Sequence, residues 1–163
     1  MVADLGGIPS VNSRQDSAYR LLLARQYLDE AEQDLALRRW RSAVAGAQMA
    51  VENAAKAVVA CFGPVPRSHD LADRLQVVTG ADMPQAWAEE IKAMLPIVLA
   101  YDTEFHIRAS YGDEQAFRSP WELFGEDEAR RGVEVARRCL ATAESVHTHF
   151  FPKPEEEDAA HQA

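Results

Sequence analysis

The sequence predicts an all-α helical bundle, and three observations predict it. Apolar residues recur at three- and four-residue spacing through most of the chain, and nowhere do they alternate as a half-buried strand would. Helix-stopping Gly and Pro are gathered at a few places, Gly63-Pro64, Gly80 and the stretch from Gly112 to Gly125. With 163 residues, 47% of them apolar, the chain has the size and composition of one globular domain. Four long helices and one short one, arranged as antiparallel hairpins, are expected.

The first helix is expected from about Ser13 to Arg38, with Ala18, Leu21, Leu22, Leu28, Ala31 and Leu35 on one stripe and acids on the other. The second begins near Trp40 and is rich in small residues, Ala43, Ala47, Ala50, Ala54 and Ala57, before Val58 and Cys61. Small residues at that spacing let a neighbouring helix come close. Gly63 is expected to end it in a left-handed cap, with Pro64 blocking continuation. A short third helix follows, capped by Ser68, with Asp70 at its positive end and Leu71, Leu75 and Val78 facing inward. Pro84 opens a long fourth helix reaching about Tyr111, with a kink or break at Pro96. Gly112 to Gly125 reads as loop, with Pro120 and Trp121 pinned to the bundle. The fifth helix runs from about Asp127 to Phe150, carrying Val133, Ala136, Leu140, Ala143 and Val146 at core spacing. The domain is thus expected over 13–151, between an N-terminal arm (1–12) and an acidic tail (152–163).

Net charge is −9, of which the tail from Pro152 supplies −3. An acidic body argues against sequence-independent capture of nucleic acid, which relies on neutralising phosphates. Two basic clusters stand against that balance, Arg38-Arg39-Arg41 and Arg130-Arg131-Arg137-Arg138, and each reads more simply as cations at a helix end or on a solvated face. No apolar run approaches the roughly 18 residues of a membrane span, and the start lacks the basic and apolar segments of a secretory signal. Cys61 and Cys139 lie in apolar helical patterns without a companion at metal spacing, so buried free thiols in a cytoplasmic protein are expected. Phosphate-cradling glycine loops, zinc helices and nucleophile turns are absent from the sequence. One Glu144-x-x-His147 occurs without the second pair and extra glutamates that a di-metal bundle needs. Neither metal nor cofactor is expected.

A set of segments in order carries a family resemblance. The first helix ends Tyr27-Leu28-Asp29-Glu30-Ala31-Glu32-Gln33-Asp34-Leu35, then Arg39-Trp40. The second contains Ala50-Val51-Glu52-Asn53-Ala54-Ala55-Lys56-Ala57, and Ser68-His69-Asp70-Leu71 opens the third. Tyr101-Asp102 and Arg108-Ala109-Ser110-Tyr111-Gly112-Asp113 follow later. Together these resemble the HEPN domain over about residues 18 to 150. The resemblance implies antiparallel helical hairpins, homodimers and a site at the dimer cleft. Members include metal-independent ribonucleases that use an Arg followed four to six residues later by a His, non-catalytic partners of minimal nucleotidyltransferases in toxin–antitoxin operons, and nucleotide-binding accessory domains.

Here the Arg is Arg108, and the positions four to six residues on are Gly112, Asp113 and Glu114. The His is missing. His106 does not replace it, because two helical positions turn a side chain about 200°. Cleavage at a 2′-hydroxyl needs a group that exchanges a proton near neutral pH, and Arg only stabilises charge. Asp113, His69 or His147 would have to serve instead.

The expected ligand-binding residues are Arg108, Tyr111, Glu104 and Tyr101, which fall at intervals of three, four and three residues along the fourth helix and so share one stripe, together with Glu52, Lys56 and His69. Aromatic rings beside a guanidinium stack a base and hold a phosphate. Plain alternatives stand beside these roles: ion pairs for Glu52–Lys56 and Glu104–Arg108, a first-turn packing role for His69, and a bundle rim for the tyrosines. Trp40, Trp87 and Trp121 read as packing anchors. The expected function is nucleotide or RNA binding by a homodimer that works with a nucleotidyltransferase partner in a toxin–antitoxin-like module, without robust ribonuclease activity. The alternatives are an endoribonuclease toxin with an atypical acid–base residue and a structural helical adaptor.

Overall fold

The computed structural model describes residues 11–66, 71–80 and 83–153. The expected arm and acidic tail fall mostly outside these residues, as do Ser68, His69 and Asp70. Seven helices occupy the described residues: α1 (Val11–Ala36), α2 (Trp40–Ala60), α3 (Leu71–Val78), α4 (Gln85–Ala100), α5 (Thr103–Tyr111), α6 (Pro120–Leu123) and α7 (Glu126–Phe150). The only β pairing among them is an isolated bridge between Asp113 and Arg118.

Helix α2 is the axis of the bundle. Packed between α1 and α7, it also touches α3, α4 and α5, and most of its residues are buried, including Ala43, Ala47, Ala50, Ala54 and Ala57. The small side chains permit this. A Cβ on Gly46 would sit 3.0 Å from the Ala31 Cβ and 3.2 Å from the Tyr27 carbonyl oxygen, so α1 crosses α2 there with almost no space between backbones. Gly132 of α7 meets Ala47 in the same way, at 3.3 Å. Larger residues complete the core, with Leu75, Ile91, Met94, Val133 and Val146 fully buried. A second, smaller cluster, Ala43, Val44, Ala109, Phe124 and Ala129, seats α5 and α6 on the opening turns of α2 and α7, with Trp40 and Phe105 packed against it.

Polar ties reinforce the three long helices. Ser17 is fully buried; its hydroxyl donates to the Ala57 carbonyl at 3.0 Å and lies 2.9 Å from Nδ1 of His147. With the hydroxyl hydrogen committed to Ala57, the imidazole is the donor of the second bond. Arg25–Glu144 (2.7 Å) and Arg137–Glu32 (2.6 Å) join α1 to α7 across the surface. Exposed as these pairs are, each adds at most about 1 kcal/mol.

Several expectations need correction. The fourth helix is two helices. Its break lies at Tyr101-Asp102, while Pro96 sits inside α4. The reason is local capping: Asp102 leaves helical geometry, and its carboxylate accepts the Phe105 N–H at 3.1 Å, so a new helix starts there. Pro96 is exposed and is absorbed. Gly63 takes φ +158° rather than a left-handed helical turn. The stretch after Gly112 is not all loop, because Pro120 opens the four-residue α6, where Glu122 accepts the Ser119 N–H at 2.7 Å. Trp121 is not pinned into the bundle. It is 71% exposed, while Pro120 beside it is buried.

Both thiols are free and buried, as expected. Burial pushes Cys61 up to about 11 and Cys139 up to about 12.

Candidate functional site

The α4–α5 break decides where the expected ligand residues go. It separates Tyr101 from Glu104, Arg108 and Tyr111, so the four do not form one stripe. Two surfaces result.

The first is a cleft of about 550 Å³. Gln48, Met49, Val51, Glu52 and Lys56 of α2 form one wall, and Leu71 and Ala72 of α3 with Val98 and Leu99 of α4 form another. Tyr101, Asp102, Thr103 and His106 close it at the helix break. Glu52 and Lys56 form their i,i+4 ion pair at 2.5 Å, partly buried. Gln48, 2% exposed, organises the polar end. Its Nε2 donates to Glu52 Oε2 (3.2 Å) and reaches the Tyr101 carbonyl (3.5 Å). Its Oε1 faces Nδ1 of His106 at 3.2 Å. Both partners of Nε2 are acceptors, so the amide orientation is determined, and Oε1 must accept from His106. The neutral imidazole is therefore held as the Nδ1–H tautomer, with its acceptor lone pair on Nε2. Tyr101 is half-buried, its ring 4.6 Å from that of Phe105, and burial pushes its phenol upward.

The second surface is the end of the molecule built by the C-terminal turn of α5, the turn over 112–119 and α6. Arg108 and Tyr111 are exposed there on α5, Glu104 is exposed in the first turn of the same helix, and no ion pair within 4 Å joins Glu104 to Arg108. Gly112 has φ +81°, and a Cβ on it would lie 2.2 Å from the Arg118 carbonyl oxygen, so only glycine fits. Asp113 and Arg118 exchange backbone bonds at 2.9 Å, and the Asp113 carboxylate accepts the Ala116 N–H at 3.0 Å. That carboxylate, one of the groups weighed as a substitute base, thus holds the turn. At the tip, Phe117 adopts φ +52° and is 93% exposed. A non-glycine residue held at positive φ with its ring in solvent is a strained feature kept by its surroundings. Arg41 of α2 donates to the Ala109 carbonyl at 2.7 Å, and its guanidinium stands 5.6 Å from the centre of the Trp121 ring.

Glu52, Lys56 and Tyr101 are thus brought together in the cleft, Arg108, Tyr111 and Glu104 lie on α5 outside it, and His69 lies outside the described residues. Sequence reasoning missed Gln48, His106, Arg41, Phe117 and Trp121. Gln48 carried a signal, being a polar residue at core spacing in an alanine-rich helix.

A family model, HEPN domain, matches residues 18–147. The chain belongs to the HEPN family. Among solved structures, this HEPN chain is similar to TT1696 from Thermus thermophilus, with 24% identity, a TM-score of 0.58, and coverage of 80% of this chain and 97% of that one. At that identity the likeness concerns the fold alone. Comparison with the curated proteins finds no match. No helix among the described residues is long and apolar enough to cross a membrane.

Gly112 and Asp113 build the turn at the positions where the motif His would begin, and His106 lines the cleft that Arg108 does not.

Proposed function

We propose that this HEPN-family protein binds nucleotide or RNA at the end formed by α5, the 112–119 turn and α6, and does not cleave RNA robustly. The observation that carries the reading is the Arg41 guanidinium over the exposed ring of Trp121, held by its bond to the backbone of α5, the helix on which Arg108 and Tyr111 are exposed. Bases stack on such rings whatever their identity, and guanidinium groups hold phosphates. The overall charge of −9 keeps any such binding local rather than diffuse. In this proposal the protein acts in the cytoplasm as a homodimer with a minimal nucleotidyltransferase partner in a toxin–antitoxin-like module. The family resemblance supports that assembly.

Fluorescence anisotropy with a short labelled single strand of RNA, and with labelled ATP, tests the binding. Trp121→Ala and Arg108→Ala should each weaken RNA by about tenfold, given roughly 1–3 kcal/mol per stacked base. Equal affinity in wild type and both variants rules out this surface.

The endoribonuclease reading is favoured by one observation, the His106 imidazole in the lining of the cleft with Nδ1 3.2 Å from Gln48 Oε1. Incubation of labelled RNA with the protein in chelator decides it. Cleavage that vanishes in His106→Ala would establish that reading.

A further inference from the structure

We propose that the cleft between α2, α3 and the α4–α5 junction is a binding site for an organic cation, an amine carried on an apolar body, distinct from the proposed RNA surface. Its size falls in the range of small-molecule sites, about 300–1,000 Å³. One part of the lining is apolar: Val51, Leu71, Val98 and Leu99. The other converges hydrogen-bond acceptors: the Glu52 and Asp102 carboxylates, the Tyr101 carbonyl and Nε2 of the His106 tautomer that Gln48 holds.

Charge decides the class of ligand. Among the described residues lining the cleft, two carboxylates face one cation, Lys56, and that cation is already paired with Glu52. An incoming phosphate or carboxylate would meet described lining residues that are net negative, with their ammonium occupied, and would be repelled by them. An ammonium would gain a carboxylate and a carbonyl while its hydrocarbon part covers the leucine and valine surface. Glu52 has acceptor capacity to spare, since each of its oxygens takes one bond from within the protein.

The ion pair gives the test a distinctive sign. Lys56 repels an incoming cation while Glu52 attracts it, so removing the one or the other acts in opposite directions. Phenethylamine, 2-phenylethanol and 3-phenylpropionate share an aryl body and differ in the polar end, and each would be titrated into the full-length protein by NMR. Phenethylamine should saturate, with 2-phenylethanol about tenfold weaker for want of a charge-assisted bond and 3-phenylpropionate without effect. Lys56→Met should tighten phenethylamine several-fold, and Glu52→Gln should weaken it about tenfold. Lys92→Met, which removes an exposed cation outside the cleft, should leave the affinity unchanged. Melting temperatures verify that each variant folds, and Lys56→Gln replaces Lys56→Met if the latter does not. Three results would overturn the proposal: no saturation by phenethylamine, equal binding of 3-phenylpropionate, or weaker amine binding once Lys56 is gone.

Discussion

His106 Nδ1 lies 3.2 Å from Oε1 of Gln48, a side chain on a different helix 58 positions earlier. That one bond sets the tautomer of an imidazole at the mouth of a cleft, and Gln48 makes it because its amide nitrogen is committed to Glu52 and Tyr101.

Gln48→Leu should release that arrangement. It leaves the Tyr101 carbonyl and the His106 ring without their buried partner, and a loss of about 1–3 kcal/mol in unfolding free energy is expected. Long-range ¹H–¹⁵N spectra report the tautomer directly. Wild type should show Nδ1 of His106 as the protonated nitrogen, and the variant should show a mixture. A wild-type ring with only Nε2 protonated would contradict the assignment.

Gly46→Val should be among the costly core changes. The added atoms point at Ala31 and the Tyr27 carbonyl, both belonging to a helix that cannot retreat without opening the α1–α2 seam. Overpacking of this kind costs about 1–3 kcal/mol, read from urea midpoints.

Arg38→Gly should have the opposite sign. Arg38 ends α1 at φ +58°, with its N–H bonded to the Leu35 carbonyl at 3.1 Å. Glycine adopts that conformation without the clash an L side chain meets, and a gain of about 0.5–1 kcal/mol in urea denaturation is expected. No gain would mean that the arginine side chain contributes an offsetting interaction there.

The pH dependence should fall off on both sides. His147 is lowered by burial and then by Arg14 and Arg25, and His149 is lowered by burial. The unfolded chain therefore holds more protons below about pH 6.5, and stability is lost as pH falls from there through the folded values. At the other end, Cys61 and Cys139 ionise near 11 and 12 when folded, against about 9 in an open chain. That contribution is complete below pH 9 and is lost as pH rises beyond it. Melting temperature against pH checks both arms. His147→Asn, which keeps a donor for Ser17 but does not titrate, should flatten the acid arm. At pH 7.5 both thiols should resist thiol reagents until the protein unfolds.

Much of the bundle was legible because its signals are local. The alanine face of α2, the core spacing of α7 and the Leu71-Leu75-Val78 stripe each announce a buried surface within one helix. The break at Asp102 was legible too, as an N-cap residue followed by Glu104, but Pro96 drew the expectation to itself. The cleft was half legible: Glu52, Lys56 and Tyr101 stood out, whereas Gln48 and His106 meet only because α5 folds back against α2. Trp121 misled for a physical reason. An indole beside a buried proline reads as an anchor, yet its ring lies outside with the Arg41 guanidinium over it.

Trp121 also supplies the most direct test of the proposed RNA surface. The protein has three indole N–H groups, of Trp40, Trp87 and Trp121. Trp40 is packed into the bundle, and Trp87 lies edge-on against His149. Adding a short single strand of RNA to ¹⁵N-labelled protein should shift the Trp121 indole together with the backbone amides of Arg108 and Tyr111, leaving the other two indoles in place. Shifts confined to the cleft around Gln48 and His106, or no shift at RNA concentrations that saturate binding by anisotropy, would contradict it.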